Sequence, residues 1–323
     1  MKKYLIVVIT GVTALFMQSS FMNDEPADKA ALGKLLFFDP ILSKDNTISC
    51  ASCHKPQFAF ADTSAVSFGA DSVKGARNTP SAMNVLLHRT FFWDGRAKSL
   101  EDQALMPIRN PDEMNLPVTQ AVQRLQQNEK YAAYFKKVFN SLPDSVNLAA
   151  SIAAYERTLE TSDSPFDAWK FSGDSNAVSD AVKRGFIIFN EKGKCIKCHF
   201  GADLTANEFR SIGLFNGKEL NDSGRSVISK DMTDIGKFKT AQLRNIAVTG
   251  PYMHNGIFKT LKEVIEFYND TEKIVPGNIN RDTILAKPLG LTAYEINDLE
   301  AFLRSLTDKS FAAKQQITYR QLK

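Results

Sequence analysis

The sequence predicts a mainly α-helical protein built as two similar halves behind a short N-terminal export segment. Three observations predict it: apolar residues recur at three- and four-residue spacings, alternating apolar–polar runs are scarce, and one five-residue motif occurs twice, 145 positions apart. Of the 323 residues, 43% are hydrophobic and 24% charged, enough for sizeable cores and incompatible with disordered or collagen-like classes. At about 100–200 residues per domain, this length suits two domains. The formal charge of +4 is too small an excess to indicate nucleic acid or an anionic membrane surface, so no nucleic-acid partner is expected.

At the N-terminus, Met1-Lys2-Lys3 precedes an uncharged, mostly apolar run over 4–17 and then Gln18-Ser19-Ser20. A basic head, an apolar stretch and a small polar exit make a secretory signal peptide, assigned to residues 1–22 without a marked cleavage box. The run is shorter than the roughly 20 residues of a membrane-spanning helix, and an uncleaved anchor is the alternative reading.

Helical spacing then covers Lys29–Phe38, Val118–Gln127, 131–139, 146–159, 177–190, 260–268 and 293–306. Thr292 with Glu295 three residues on resembles a capping box that starts the last of these. Ser162-Asp163-Ser164-Pro165 and Ser172-Gly173-Asp174-Ser175 read as turns. They divide the chain into an N-terminal domain, 23–165, and a C-terminal domain, 166–323. The stretches 58–80 and 201–240 lack periodicity, and loops of that length inside a compact domain are usually functional.

The repeated motif is Cys50-Ala51-Ser52-Cys53-His54 and Cys195-Ile196-Lys197-Cys198-His199, which consumes all four cysteines. C-x-x-C-H is the attachment signature of a c-type haem: two thiols one helical turn apart bond the vinyl groups and the next imidazole meets the iron. A thioredoxin-like pair needs neither the histidine nor a second copy, and a zinc site built from pairs so far apart has no compact knuckle. Two covalent haems in two cytochrome c-like domains with long loops are therefore expected, with His54 and His199 as proximal ligands. The sixth position of each iron separates electron carriage from small-molecule chemistry. Only His88 and His254 remain as further histidines, which favours two unlike haems.

Around these motifs stand Arg77-Asn78-Thr79-Pro80-Ser81, Phe91-Phe92-Trp93-Asp94-Gly95-Arg96-Ala97, Leu100-Glu101-Asp102-Gln103 and Asn110-Pro111-Asp112-Glu113-Met114. Leu243-Arg244-Asn245-Ile246 and Thr249-Gly250-Pro251-Tyr252-Met253-His254-Asn255-Gly256 follow the second motif. In this order the set resembles the bacterial di-haem cytochrome c peroxidase family, which includes the MauG-type enzymes, from about Lys34 to Thr307. The resemblance implies a periplasmic enzyme with a peroxidatic N-terminal haem and an electron-transfer C-terminal haem. It implies hydrogen peroxide as substrate, a small c-type cytochrome or cupredoxin as electron donor, and a homodimer. By the same resemblance Glu113 is the distal acid–base carboxylate, Gln103 the distal amide and Trp93 the tryptophan between the haems. Asn78, Thr249 and Pro251 match positions that bind a calcium ion, for which oxygen donors are chemically suited. These roles make chemical sense. Peroxide must lose a proton from one oxygen and gain one on the other before its O–O bond breaks, and a carboxylate in a closed pocket can do both. The amide offers an N–H without competing as an acid. Without the resemblance, Glu113 reads as a solvated surface acid, Trp93 as a core residue and Asn78 as an ordinary turn residue.

Two departures stand out. Many relatives carry a histidine before the R-N-x-P segment that blocks the peroxidatic iron; here none occurs between His54 and His88, which implies an open N-terminal haem. Fourteen residues beyond His254, where many peroxidases place a methionine ligand, stands Tyr268, as in the MauG-type branch. Tyr268 is the preferred sixth ligand of the His199 haem, Met253 the alternative, and simple packing beside Val264 and Ile265 the bland reading. A tyrosinate would lower the haem potential relative to methionine. Both departures lean towards the branch that oxidatively matures a partner protein, with a pure electron carrier as the reading from another class.

Overall fold

The computed structural model describes residues 25–311, so the segment read as a signal peptide lies outside it. Twelve α-helices and one two-stranded sheet make up the regular structure of the described residues. The helices are α1 (Lys29–Phe38), α2 (Cys50–Cys53), α3 (Leu100–Arg109), α4 (Val118–Gln127), α5 (Glu129–Phe139), α6 (Ser145–Glu156), α7 (Pro165–Lys170), α8 (Asp180–Asn190), α9 (Ser226–Ser229), α10 (Leu261–Asn269), α11 (Thr271–Ile274) and α12 (Ala293–Ser305). Strands β1 (Phe209–Arg210) and β2 (Phe238–Lys239) pair antiparallel, with Phe209 opposite Lys239. None of these helices is long and apolar enough to cross a membrane.

Capping explains where the long helices start. Asp28, Ser99, Asn128, Asp144, Ser179, Thr260 and Thr292 each accept a first-turn backbone N–H with their side chains. At α10 and α12 a glutamate three residues on completes the capping box. The sequence reading missed α3 as a helix, because Pro107 lies inside it and its outer face is charged.

The same packing event organises both halves. In the first, α1 crosses α6; in the second, α8 crosses α12. A glycine lies at each crossing. A Cβ on Gly33 would sit 1.8 Å from the Ser151 carbonyl oxygen, and one on Gly185 would sit 2.0 Å from that of Asp298. Only hydrogen at these positions lets the backbones approach so closely. One turn further on, fully buried Phe37 packs against Tyr155 at 5.2 Å between ring centres, and Phe189 against Phe302 at 4.9 Å. Each ring pair adds about 0.5–1.5 kcal/mol beyond its area burial.

Two main hydrophobic cores result. The first gathers Leu32, Phe37, Leu125, Phe135 and Ile152, and the second Phe166, Phe189, Ile265, Phe267 and Phe302. The division is not absolute, since Val248 and Phe311 join the first core. Arg77 ties the halves together, donating to Asp222 Oδ2 at 2.7 Å and to Asp94 Oδ2 at 2.6 Å. The aperiodic stretches 58–80 and 201–240 carry short turns of 3-10 helix, and the second also holds β1, α9 and β2.

Candidate functional site

Each C-x-x-C-H motif forms one tight helical turn. The backbone N–H of His54 donates to the Cys50 carbonyl at 2.9 Å, and that of His199 to the Cys195 carbonyl at 2.9 Å. The first turn is held by Ser49, whose N–H donates to Ser52 Oγ at 3.0 Å. Both imidazoles are then aimed in the same way. His54 Nδ1 lies 3.0 Å from the Phe60 carbonyl oxygen, and His199 Nδ1 lies 3.0 Å from that of Leu204. A carbonyl only accepts, so Nδ1 carries the proton and Nε2 keeps its lone pair for a metal. Phe60 and Leu204 share left-handed backbone, φ 55° and φ 53°, which turns each carbonyl back towards its ring. The sequence alone showed the two histidines but not this matched pair of orienting carbonyls.

A cavity of about 1060 Å³ joins the two motifs, lined by Cys50, Cys53 and His54 on one side and Cys195, Cys198 and His199 on the other. All four thiols are free, which leaves them available for thioether bonds. Burial pushes the Cys195 thiol up to about 12, and that of Cys50 upward too, so neither is a ready thiolate nucleophile. Two thiol pairs, two preset imidazoles and one shared cavity fit two c-type haems.

The cavity lining includes Gln103, Glu113 and Trp93, and the Glu113 charge reaches the Cys50 and Cys53 thiols. Gln103 projects from the middle of α3, and its Oε1 is buried without a partner. Glu113 follows α3 in a tight turn where Asn110 Nδ2 donates to its Oε1 at 2.7 Å. Burial raises the Glu113 carboxyl above the ordinary glutamate range, against the opposing pull of that hydrogen bond and of the Arg96 charge. Trp93 Nε1 donates to the Asn78 carbonyl at 2.8 Å, and the Trp93 carbonyl accepts from Lys239 N at 2.7 Å. The indole is thus pinned between a first-half loop and β2.

Tyr268 and Met253 line the same cavity and pack on the second core, and Tyr268 lies within electrostatic reach of Cys195 and Cys198. Tyr268 projects from α10, edge-on to Phe267, with no hydrogen-bond partner for its hydroxyl among the described residues. Burial raises its pKa strongly. Met253 has left-handed backbone, φ 73°. His254 stacks on Phe238 at 3.6 Å between ring centres. Burial holds it down to about 4, so it is neutral.

The comparisons with known proteins decide the family. The sequence profile described as "Di-haem cytochrome c peroxidase" matches residues 27–176. The chain is 38% identical over 289 residues to methylamine utilization protein MauG of Methylophilus methylotrophus, covering 88% of this chain and 84% of that one. The chain belongs to the di-haem cytochrome c peroxidase family. It is also 35% identical over 289 residues to cytochrome c551 peroxidase of Nitrosomonas europaea, covering 88% of this chain and 82% of the relative. Among solved structures it is similar to a MauG-like protein associated with microbial copper homeostasis, with a TM-score of 0.80 and 31% identity over 89% of this chain and 92% of that one. Membership makes the chain an oxidoreductase of the cytochrome-c peroxidase and MauG type.

For the expected calcium ion the structure adds nothing. Asn78, Thr249 and Pro251 line the shared cavity, but no cluster of three or more His, Cys, Asp or Glu side chains able to hold a metal occurs among the described residues. The Asn78 amide donates to the Ser64 and Ala65 carbonyls at 3.3 and 3.2 Å.

Sequence reasoning missed two cavity-lining groups, Glu156 and Lys239. Glu156 ends α6, is 5% exposed, and has an Oε2 without a partner. Burial pushes it up to about 8. Its signal was a charge on an otherwise apolar helix face. Lys239, on β2, falls in the stretch 201–240, whose path no periodicity reveals.

Proposed function

We propose that this chain is a periplasmic di-haem peroxidase that reduces hydrogen peroxide to water with electrons from a small c-type cytochrome or cupredoxin. The observation that carries the reading is Glu113: a carboxyl lifted by burial, on the wall of the cavity that also holds the His54 motif. When bound, the haems supply one-electron iron chemistry. The chain's own residues do the rest. Glu113, as carboxylate, takes a proton from one peroxide oxygen and returns it to the other, so that hydroxide never has to leave unprotonated. Asn110 holds that carboxylate in place, at 2.7 Å. Gln103 offers amide hydrogen bonds that orient the peroxide without competing for its proton. Trp93 lies between the halves as a π-system on the electron path. Two electrons and two protons are consumed for each peroxide and two waters leave. No histidine in the loop after His54 stands ready to close the first iron, so the site is open in the oxidised protein.

A second reading is favoured by one observation, the presence of Tyr268 rather than a methionine beside the His199 motif. An anionic oxygen ligand favours higher iron oxidation states. Such a centre suits oxidative maturation of a partner protein, with residues of that partner as electron source.

Electron paramagnetic resonance of the fully oxidised holoprotein, combined with peroxide turnover on reduced cytochrome c, tests the proposal. A high-spin signal and rapid cytochrome oxidation are expected. Two low-spin signals with no response to peroxide would make the protein an electron carrier instead.

A further inference from the structure

Six Arg and Lys side chains line the shared cavity, and the acids that balance them single one out. Arg77 pairs with Asp94 and Asp222, and Arg96 with Asp94. Arg210 pairs with Asp282, and Arg244 with Asp167 and Asp203. Lys194 is exposed to solvent. Lys239 alone is turned inward with no carboxylate at ion-pair distance among the described residues. Its ammonium donates to the Thr90 carbonyl at 2.9 Å and lies 3.1 Å from His88 Nδ1.

The contact with His88 determines more than itself. An ammonium has no lone pair, so His88 Nδ1 accepts and the ring proton resides on Nε2. That Nε2–H is buried and has no partner. A neutral imidazole is consistent with its surroundings, since burial and the adjacent Lys239 charge push His88 down to about 3. The cation is thus oriented by the Thr90 carbonyl and His88 Nδ1 but has no counter-charge among the described residues, while the Nε2–H points away from it on the far side of the ring. Leaving a buried cation uncompensated is costly, and a carboxylate entering the cavity compensates it.

We propose that Lys239, oriented by His88, is the seat for a haem propionate, the carboxylate that arrives with the cofactor. Backbone contacts place this seat at the junction of the halves, because Lys239 N donates to the Trp93 carbonyl at 2.7 Å. The propionate belongs either to the haem attached at Cys50 and Cys53 or to the one at Cys195 and Cys198. Lys239 thereby acts as a positioning residue that sets a haem's potential: a nearby positive charge favours the reduced iron. The proposal rests on haem content alone, so a holoprotein inert to peroxide leaves it standing.

The test uses the purified holoprotein and three variants, Lys239→Gln, Lys239→Arg and His88→Leu. Spectroelectrochemical titration follows each haem separately, and resonance Raman spectra follow the propionate bending bands. Lys239→Gln should shift the reduction equilibrium of one haem about ten-fold towards the oxidised form, about 59 mV for one electron, and move that haem's propionate band. The haem that shifts identifies the source of the propionate. Lys239→Arg should keep both readings near those of the parent protein. Unchanged potentials and bands in Lys239→Gln overturn the proposal. Should that variant lose its haems, His88→Leu decides, since it keeps the charge and removes the Nδ1 acceptor that orients the ammonium. A moved propionate band then supports the seat, and an unmoved one overturns it.

Discussion

Glu113 and Lys239 illustrate how one cavity treats opposite charges. Both are displaced by burial, the carboxyl upward and the ammonium down to about 8. For the carboxyl the displacement is useful: a base nearer the working pH is also a better acid after it has taken the proton. Because the reaction starts from the ionised carboxylate, turnover should fall as pH drops through the raised Glu113 pKa, above the ordinary glutamate value. Glu113→Gln keeps the shape and the Asn110 contact region but removes the base. Steady-state peroxide assays should show a loss of about 100-fold or more together with disappearance of that acidic limb. Unchanged turnover would reassign the base, and Glu156 would be the next carboxyl to test. Glu113 was nameable from the order of motifs, whereas its raised pKa comes from burial in the folded cavity, which outweighs the opposing Asn110 hydrogen bond and Arg96 charge.

Helix crossings carry the next level of organisation. The periodic runs read from the sequence agree closely with α1, α4, α5, α6, α8, α10 and α12, because apolar spacing and capping residues are local properties. What spacing did not disclose is that Gly33 and Gly185 perform the same task in the two halves. Substituting alanine at either position forces a methyl into a carbonyl oxygen, at 1.8 and 2.0 Å respectively. Overpacking of this kind costs about 1–3 kcal/mol. Thermal melts of the Gly185→Ala holoprotein should therefore show a midpoint several degrees lower, at about 2–4 °C for each kcal/mol.

At the scale of the whole molecule, two halves with the same helix crossing and the same histidine–carbonyl contact enclose one cavity with unlike walls. The Glu113 carboxyl lies within electrostatic reach of the Cys50 and Cys53 thiols, and the Tyr268 phenol within reach of those of Cys195 and Cys198. This asymmetry predicts a division of labour. Replacing Tyr268 by Phe should alter the optical spectrum of the His199 haem and leave that of the His54 haem unchanged. A spectrum that does not respond would transfer the sixth position to Met253, which lines the same cavity. The sequence by itself determined the covalent chemistry and the helical class. Cysteine spacing, the following histidine, apolar period and capping residues all act within a few positions along the chain. The tertiary structure alone decided which groups meet in the cavity and which charge there is left unpaired. Lys239 meets His88 across 151 positions, and Arg77 meets Asp222 across 145. Contacts of that range arise only when both cores close, and no local pattern encodes them.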